Sequence, residues 1–353
     1  MNKVNSDLLQ LSKHFKNYIP QQDDLFVARQ NGAQICFFSK GCQFSEKGFC
    51  TMCNYGKGCS TITKTKLKQS LSEIFKNYSK ASQIPMMVFG CNGSIFDTAE
   101  MTEDCFDYLL DYISNYNIKN IYFETFYTTV TKQKLEKIKN KLNDANIFIE
   151  LGFESASSEI REKALLKFID NNLFIEKIKL IHQFNFFATT NVLLGIPFLT
   201  QKESLDDTLS SIHFLINAAN VDEVVVFPLN IKKNTLLEAI KQQPPYLLSV
   251  LEIIKNLTDN ELDKVIFSWF DATAEDPLVK TAPLSCNVCY NYIVETVNKF
   301  IRANRNERIL IRDNLKSTNC KCEDKFIKEL KKQNKLSLEE RIEKSINNLK
   351  IKK

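Results

Sequence analysis

Short apolar runs alternate along the middle of the chain with longer stretches in which apolar residues recur at helical spacing. Leu205, Leu209 and Ile212 show this spacing, and the pattern Thr200 to Glu203 just before them is typical of a capping box. The apolar runs are rich in β-branched and aromatic residues and predict strands at 34–39, 85–90, 119–124, 147–153, 187–194 and 222–229.

Six strand-then-helix units predict an α/β fold with a parallel sheet, either open or closed into a full or partial barrel. Parallel sheets place function in the loops at the carboxyl ends of their strands. The alternation stops at about residue 258, so we expect a core with an N-terminal helix at 1–258 and a C-terminal extension at 259–353. Within the extension the pattern predicts a helix at 286–305 and a polar helix at 337–350.

The composition is that of a water-soluble globular protein. Of the 353 residues, 44% are hydrophobic and 25% are charged. The first residues lack the apolar segment of a signal peptide, and no apolar run approaches the roughly 18–20 residues that a membrane span needs. We therefore expect a cytoplasmic protein with no membrane partner.

Positive charge is concentrated near the C-terminus. Residues 301–353 contain 16 Lys+Arg and 8 Asp+Glu, a net charge of +8, whereas the whole chain carries +5, which leaves −3 for the rest. A basic tail can bind nucleic acid, but a solvated, lysine-rich terminal helix is the commoner case. RNA affinity comes mainly from phosphate contacts, so the acidic core argues against nucleic acid as a partner.

Cys42, Cys50 and Cys53 follow the first predicted strand with the spacing C-x7-C-x2-C. Eleven cysteines in a reducing compartment indicate metal binding or catalysis rather than disulfides. Three thiolates can hold three irons of a [4Fe–4S] cluster and leave the fourth iron free for a cosubstrate. A structural zinc site is the alternative, with Cys36 or Cys59 as its fourth ligand.

A second cysteine group lies in the extension. Cys286 and Cys289 form a CxxC pair, and Cys320 and Cys322 form a CxC pair. Four thiolates favour tetrahedral structural zinc, because they leave no open coordination position. An auxiliary iron–sulfur cluster is the rival interpretation.

The first cysteine loop, together with the motifs that follow it, resembles the radical S-adenosylmethionine (SAM) superfamily. The resemblance narrows to the archaeosine synthase radical SAM subunit and its relatives, which include queuine lyase. The matching motifs are KGC at 40–42, CTMC at 50–53, GSIFD at 93–97, ETFYTTV at 124–130, GFES at 152–155, PFLT at 197–200, PLNIKKNT at 228–235, PPYLLS at 244–249 and both C-terminal cysteine pairs.

This resemblance implies a partial (β/α)6 radical SAM barrel that uses a [4Fe–4S] cluster and SAM and takes electrons from a donor such as flavodoxin or ferredoxin. It implies a lyase in which an adenosyl radical abstracts hydrogen from a carbon attached to an exocyclic amine, before the C–N bond breaks. Glu124 and Glu154 are its candidate catalytic residues. Its candidate SAM contacts are Tyr55, Asn92, Gly93, Ser94, Glu150, Glu154, Ser155 and Asn191.

The predicted positions and chemistry of several of these residues also favour ligand binding. Side chains alternate along a strand, so Glu150, Gly152 and Glu154 are predicted to share one face. A buried unpaired carboxylate is expensive, so two carboxylates around a glycine indicate a site rather than a core. Asn92 to Ser94 predicts a turn whose exposed backbone groups suit an amino-acid ligand.

A flat deazaguanine base would need a carboxylate at its donor edge and an aromatic face. Asp97 and Glu124 end strands and could accept its ring N–H and exocyclic amine, although Asp97 could equally cap the following helix. Phe126, Tyr127 and Phe227 are the candidate stacking residues. Asn230 completes the candidate substrate contacts.

The leading hypothesis is cleavage of free queuine to 7-aminomethyl-7-deazaguanine, because the Phe-, Asn- and Lys-rich composition is typical of bacteria and bacteria in this family salvage the base. A tRNA-modifying enzyme of the archaeosine type is the second hypothesis. The third is a non-catalytic, zinc-stabilised nucleic-acid-binding protein, which predicts two closed zinc sites.

Overall fold

The computed structural model describes residues 2–16, 24–29, 32–53, 60–270 and 278–350. The strands in this part of the chain are β1 (Leu25–Arg29), β2 (Gly32–Phe37), β3 (Gln83–Cys91), β4 (Asn117–Thr125), β5 (Asn146–Glu154), β6 (Phe187–Leu194), β7 (Glu223–Pro228), β8 (Ile231–Lys232), β9 (Val265–Phe267) and β10 (Val279–Thr281).

The helices in the same ranges are α1 (Lys3–Phe15), α2 (Gln43–Glu46), α3 (Lys64–Phe75), α4 (Glu103–Ile113), α5 (Lys132–Lys141), α6 (Ser158–Ile160), α7 (Asn171–Gln183), α8 (Gln201–Asn217), α9 (Leu236–Ala239), α10 (Leu248–Asn256), α11 (Asp259–Leu262), α12 (Asn287–Arg302), α13 (Arg305–Asp313), α14 (Lys321–Leu330) and α15 (Leu338–Lys350). A 3-10 turn (Tyr127–Thr129) follows β4, and a π-helical turn (Arg161–Leu165) continues α6. None of the described helices has both the length and the apolar character that crossing a bilayer requires.

The main sheet has the order β1-β2-β3-β4-β5-β6-β7-β9. From β2 to β9 every neighbouring pair is parallel, and β1 pairs antiparallel with β2 at one edge. All six predicted strands are present, the one at 187–194 with the predicted bounds and the other five with shifted ends, and helices connect them. The predicted α/β class is therefore confirmed.

The sheet curls into a half-barrel. Gln34 on β2 and Phe227 on β7 line the same cavity, although five inter-strand steps of about 4.8 Å would hold them roughly 24 Å apart in a flat sheet. The strand order is open, since β1 and β9 stand at its two ends. The architecture is thus the predicted partial barrel, with the cavity at the carboxyl ends of its strands.

The parallel sheet continues past residue 258, where the sequence alternation was expected to stop. Strand β9 adds a seventh parallel strand, and its Val265 and Phe267 are buried. Helix α12 packs on β9, and Ile293 and Phe300 of that helix belong to the main hydrophobic core. Residues 259–353 therefore supply part of the barrel as well as the helices that cover it.

Helix α15 is docked on the barrel, so the expectation of a solvated terminal helix was wrong. Ile342 and Ile346 are buried in a cluster that also holds Leu8 of α1 and Leu165 of the π-helical turn. Arg341 donates from both terminal nitrogens to the carboxylate of Glu203, at 2.6 and 3.0 Å. The helix is amphipathic, and its apolar stripe faces the protein.

Replacing Ile342 with Ala is expected to lower the free energy of unfolding by about 2–5 kcal/mol, because the change leaves a cavity in this cluster. Urea unfolding provides the measurement. The matched control is Lys344→Ala on the exposed face of the same helix, where a change within about 0.5 kcal/mol is expected. Equal effects of the two substitutions would contradict the docked helix.

Candidate functional site

A cavity of about 340 Å³ opens at the carboxyl ends of the parallel strands. Its wall is formed by the loop after β2, the turn after β3, the ends of β4 to β7 and the segment after β9. The predicted site residues on this wall are Cys42, Cys50, Cys53, Asn92, Gly93, Ser94, Asp97, Glu124, Phe126, Glu150, Glu154, Asn191, Phe227 and Asn230.

The cysteine loop is held in place by backbone contacts from outside it. Cys50 has a left-handed backbone conformation, with a φ of 59°, which is uncommon for a side chain with a Cβ. The next residue, Thr51, fixes that geometry: its N–H donates to the Leu165 carbonyl at 2.9 Å and its hydroxyl to the Ala164 carbonyl at 2.7 Å. The π-helical turn therefore supports the cysteine loop through these two hydrogen bonds.

The three loop thiols fit an iron–sulfur cluster better than a single ion. Burial raises the pKa of Cys42 to about 12 and also raises that of Cys50, so metal binding must displace the protons and compensate the buried charge. Among the described residues, these thiols form no group within 4.8 Å of one another that one ion could bridge. Each thiolate of a cluster can instead bind a different iron.

Glu100 organises the turn after β3, a role that no motif in the sequence indicated. Its buried carboxylate accepts the N–H groups of Gly93 and Ser94, both at 2.9 Å, and the hydroxyl of Ser39 at 2.6 Å. A Cβ at Gly93 would lie 2.4 Å from that carboxylate and 2.7 Å from the Cβ of Cys42. The two N–H groups expected to face a ligand are therefore used internally.

Glu150, Gly152 and Glu154 line the cavity together, as strand alternation predicted. Glu154 is paired with Lys167, whose Nζ lies 2.9 Å from Oε1, and both side chains are largely buried. A Cβ on Gly152 would lie 3.0 Å from that Nζ. Glycine at position 152 thus leaves room for a buried ion pair beside the cysteine loop.

The position of the Glu124 carboxylate also depends on a neighbouring glycine. The side-chain amide of Gln34, which also lines the cavity, donates to Oε1 of Glu124 at 2.9 Å. A Cβ added to Gly90 would come within 2.1 Å of its Oε2, so any larger residue there would displace the carboxylate. The carboxylate is thereby fixed at the cavity wall, where it can accept hydrogen bonds from a ligand.

Three asparagine amides offer acceptors to the cavity. The Oδ1 atoms of Asn92, Asn191 and Asn230 are buried and have no hydrogen-bond partner in the described part of the protein. All three residues lie on the cavity wall. Since a buried unsatisfied acceptor costs about 1–3 kcal/mol, this clustering indicates a ligand that supplies several N–H or O–H donors.

Asp97 does not cap helix α4, whose N-cap is Thr102. Its Oδ1 accepts the N–H of Ala99, and its Oδ2 accepts from the Gln43 side chain of the cysteine loop, both at 2.9 Å. The carboxylate therefore links the turn after β3 to the cysteine loop at the cavity edge.

Two predicted residues lie away from the cavity wall. Ser155 is fully buried and donates to Asp207 at 2.7 Å, so it fixes the end of β5. Tyr127 is buried against Phe174, and its hydroxyl accepts the N–H of Asp170 at 3.3 Å. Both side chains thus have structural partners. Tyr55 lies outside the described residues.

The cavity also contains residues that sequence reasoning missed. Lys167, Lys232 and Trp269 line it with Gln34. Trp269 is the sole tryptophan of the chain and adopts a left-handed backbone conformation with a φ of 55°. Such strain in a bulky residue is often found at functional sites. The rarity of tryptophan was the one signal in the sequence that pointed to it.

The second cysteine group is a compact four-thiol site. The Sγ atoms of Cys286, Cys289, Cys320 and Cys322 all lie within 4.8 Å of one another, and those of Cys286 and Cys289 are 3.6 Å apart. Tetrahedral zinc with Zn–S bonds of about 2.3 Å would place its sulfurs roughly 3.8 Å apart. A backbone hydrogen bond from Cys289 lowers the pKa of Cys286 to about 6, which favours a thiolate ligand.

Comparison with curated proteins finds an archaeal protein that is similar to most of this chain. No family model matches the chain. It is 22% identical over 285 residues to archaeosine synthase subunit beta of Methanosarcina acetivorans, covering 76% of this chain and 80% of that protein. The chain is thus similar to a curated archaeosine synthase subunit, as its motifs predicted.

Two solved structures also share part of their fold with this chain. Methylornithine synthase aligns with a TM-score of 0.49 at 14% identity, over 88% of this chain and 93% of that one. The radical SAM methyltransferase TsrM of Kitasatospora setae, with cobalamin and a [4Fe–4S] cluster bound, aligns with a TM-score of 0.43 at 10% identity, over 59% and 39%. The resemblance to the archaeosine synthase radical SAM subunit, predicted from the cysteine loop and the motifs after it, is confirmed by the curated relative.

Asn191→Ala is expected to weaken SAM binding by about threefold to tenfold, the effect of losing one hydrogen bond. The orphaned Oδ1 of Asn191 in the cavity is the reason for choosing this position. Calorimetry on the anaerobically reconstituted protein measures the change. Unchanged SAM affinity would remove Asn191 from the cofactor site.

Glu154→Gln is also expected to weaken SAM binding, but its interpretation needs a control. Removing one charge of a buried pair leaves Lys167 uncompensated, and that alone can cost about 3–5 kcal/mol of stability. The double variant Glu154→Gln, Lys167→Met removes both charges. Weak SAM binding in both variants would assign the loss to the carboxylate, whereas normal binding in the double variant would assign it to the unpaired lysine.

Proposed function

We propose that this radical SAM protein is a lyase that cleaves the exocyclic C–N bond of a free 7-deazaguanine derivative, with queuine as the favoured substrate. The observation that carries the proposal is the shared cavity, in which the cysteine loop faces hydrogen-bond acceptors and aromatic side chains. When bound, the cluster and SAM would supply the radical chemistry, and the protein supplies position and water exclusion.

The lining supports a ligand that is rich in donors. Asp97, Glu124 and Glu150 offer carboxylates, and Asn230 adds an unpaired amide oxygen. A deazaguanine presents adjacent ring N–H and amine donors, for which a carboxylate is a two-point acceptor. Glu124, fixed by Gln34, is our candidate for that contact. Of the residues that the resemblance made catalytic, Glu154 instead sits beside the cysteine loop with Lys167.

Aromatic side chains at the wall support a flat substrate. Phe126, Phe227 and Trp269 line the cavity, and Phe126 is packed on Phe44 with a ring-centroid distance of 4.3 Å. Stacking of a base on an aromatic face contributes about 1–3 kcal/mol. Tyr127, the fourth aromatic candidate, is instead part of the core.

The charge of the wall favours a free base over tRNA. Five carboxylates and two lysine ammonium groups line the cavity, a lining that would repel phosphates. The five carboxylates are those of Asp97, Glu100, Glu124, Glu150 and Glu154. The similarity to archaeosine synthase subunit beta keeps a tRNA-modifying function as the second candidate.

The deciding experiment is anaerobic incubation of reconstituted protein with SAM, a reductant and either free queuine or queuosine-containing tRNA, followed by mass analysis. We expect 7-aminomethyl-7-deazaguanine from the free base and little product from the tRNA. Salt-sensitive turnover of tRNA alone would favour the second candidate. Quenching of the sole tryptophan, Trp269, gives an independent measure of base binding.

A further inference from the structure

A buried lysine contacts the backbone of the cysteine loop. Lys16, just after helix α1, is only 7% exposed. Its ammonium group donates to the backbone carbonyls of Phe49 and Cys50, the latter at 2.9 Å. These are the carbonyl of the second cysteine ligand and the one directly before it, so the lysine binds the loop at its strained residue.

No carboxylate of the described residues neutralises the charge of Lys16. Its partners are neutral carbonyls, and it forms no ion pair with a carboxylate of the described residues. The other buried lysine near Cys50 is Lys167, and that one is paired with Glu154 at 2.9 Å. Burying an ammonium group without a paired carboxylate is expensive, so within the described part of the protein Lys16 places a positive charge beside the loop at a cost in stability.

An iron–sulfur cluster bound by these cysteines would interact electrostatically with the charge of Lys16. Each thiolate ligand brings a negative charge, and one-electron reduction adds another within the same buried loop. A fixed cation nearby favours the more negative, reduced state, since charge and hydrogen bonding around a cluster set its reduction potential. Second-shell groups of this kind tune metal sites in general.

We propose that Lys16 is a positioning residue that holds the cysteine loop and, through its uncompensated charge, makes the cluster easier to reduce. This inference rests on the proposed cluster of the function above, but not on the choice of substrate. The N-terminal helix is thereby a functional part of the site, kept against the barrel by its contact with helix α15.

The test is a redox titration of the reconstituted protein without SAM, followed by electron paramagnetic resonance. Lys16→Met should shift the midpoint potential to a more negative value, by at least about 59 mV for a tenfold change in a one-electron equilibrium. Lys16→Arg should restore the wild-type potential. Lys47→Met, an exposed lysine of the same loop, is the matched control and should leave it unchanged.

Lys16→Gln keeps a donor for the carbonyls without the charge, so it separates the two roles and is expected to shift the potential as Met does. A wild-type potential in either neutral variant would overturn the proposal. Loss of iron from both neutral variants, with the cluster retained in Lys16→Arg, would limit Lys16 to holding the loop and would overturn the proposed effect on the potential. An absent [4Fe–4S] signal in the wild-type protein would instead reject the cluster itself, and with it the proposed function.

Discussion

Single replacements of Cys42, Cys50 and Cys53 with Ala are expected to abolish SAM cleavage while the protein stays folded. Three thiolates are the fewest that hold a [4Fe–4S] cluster with one open iron, so two cannot retain it. The loop itself is anchored by other groups: the contacts of Thr51 to the π-helical turn and of Lys16 to the loop carbonyls survive each replacement.

Iron and sulfide analysis after anaerobic reconstitution, together with the yield of 5′-deoxyadenosine, measures the effect. Circular dichroism checks the fold. Cys105→Ala is the matched control, because Cys105 is buried on helix α4 and does not line the cavity. SAM cleavage at the wild-type rate in a triple Ala variant would reject the cluster assignment.

Replacing any of Cys286, Cys289, Cys320 and Cys322 with Ser is expected to cost solubility and stability before it affects chemistry. Metal binding to a structural zinc site contributes folding free energy directly, on the order of 10–16 kcal/mol in zinc-finger peptides. Cys286 and Cys320 are the N-cap residues of helices α12 and α14, so the site ties two helices together.

We expect the loss of stability to extend beyond the four cysteines. Helix α12 packs on β9, the last strand of the barrel, and on helix α10. Phe300 of that helix contacts Phe267 of β9, with a ring-centroid distance of 6.0 Å. A loosened α12 therefore uncovers an edge of the parallel sheet, and we expect a lower melting temperature together with aggregation.

Metal analysis of the purified wild-type protein decides the nature of this site. One zinc per chain would agree with the compact arrangement of the four thiols. Iron bound there instead would reject the structural zinc and support an auxiliary cluster. The triple Ala variant of the first loop is a useful internal control, since it should lose iron and keep the zinc.

The local pattern of the chain determined the elements and the ligand types. Each predicted strand is an apolar run because its two faces are buried between the barrel interior and the helices. Strand alternation placed Glu150 and Glu154 on one face, and the structure finds both at the cavity. Both cysteine groups were visible for a similar reason: a CxxC spacing is local, so it survives in the sequence whatever surrounds it.

Partners distant in sequence were decided only by the tertiary structure. Gln34 meets Glu124 and Lys16 meets the cysteine loop because strands and helices far apart in the chain converge at one end of the barrel. Periodicity states which face of an element is buried but not which element covers it. A three-residue strand such as β9 has too few positions to show any period.

The same limit explains why some predicted site residues have structural roles instead. Ser155 and Tyr127 lie in motifs next to true wall residues, yet their side chains turn to Asp207 and Phe174 in the interior. Helix α15 looked solvated because few of its residues are apolar, but Ile342 and Ile346 fall on one stripe that the α1 surface covers. Only the tertiary structure brings helix α1 to this stripe of α15, because the two helices are more than 300 residues apart in the chain.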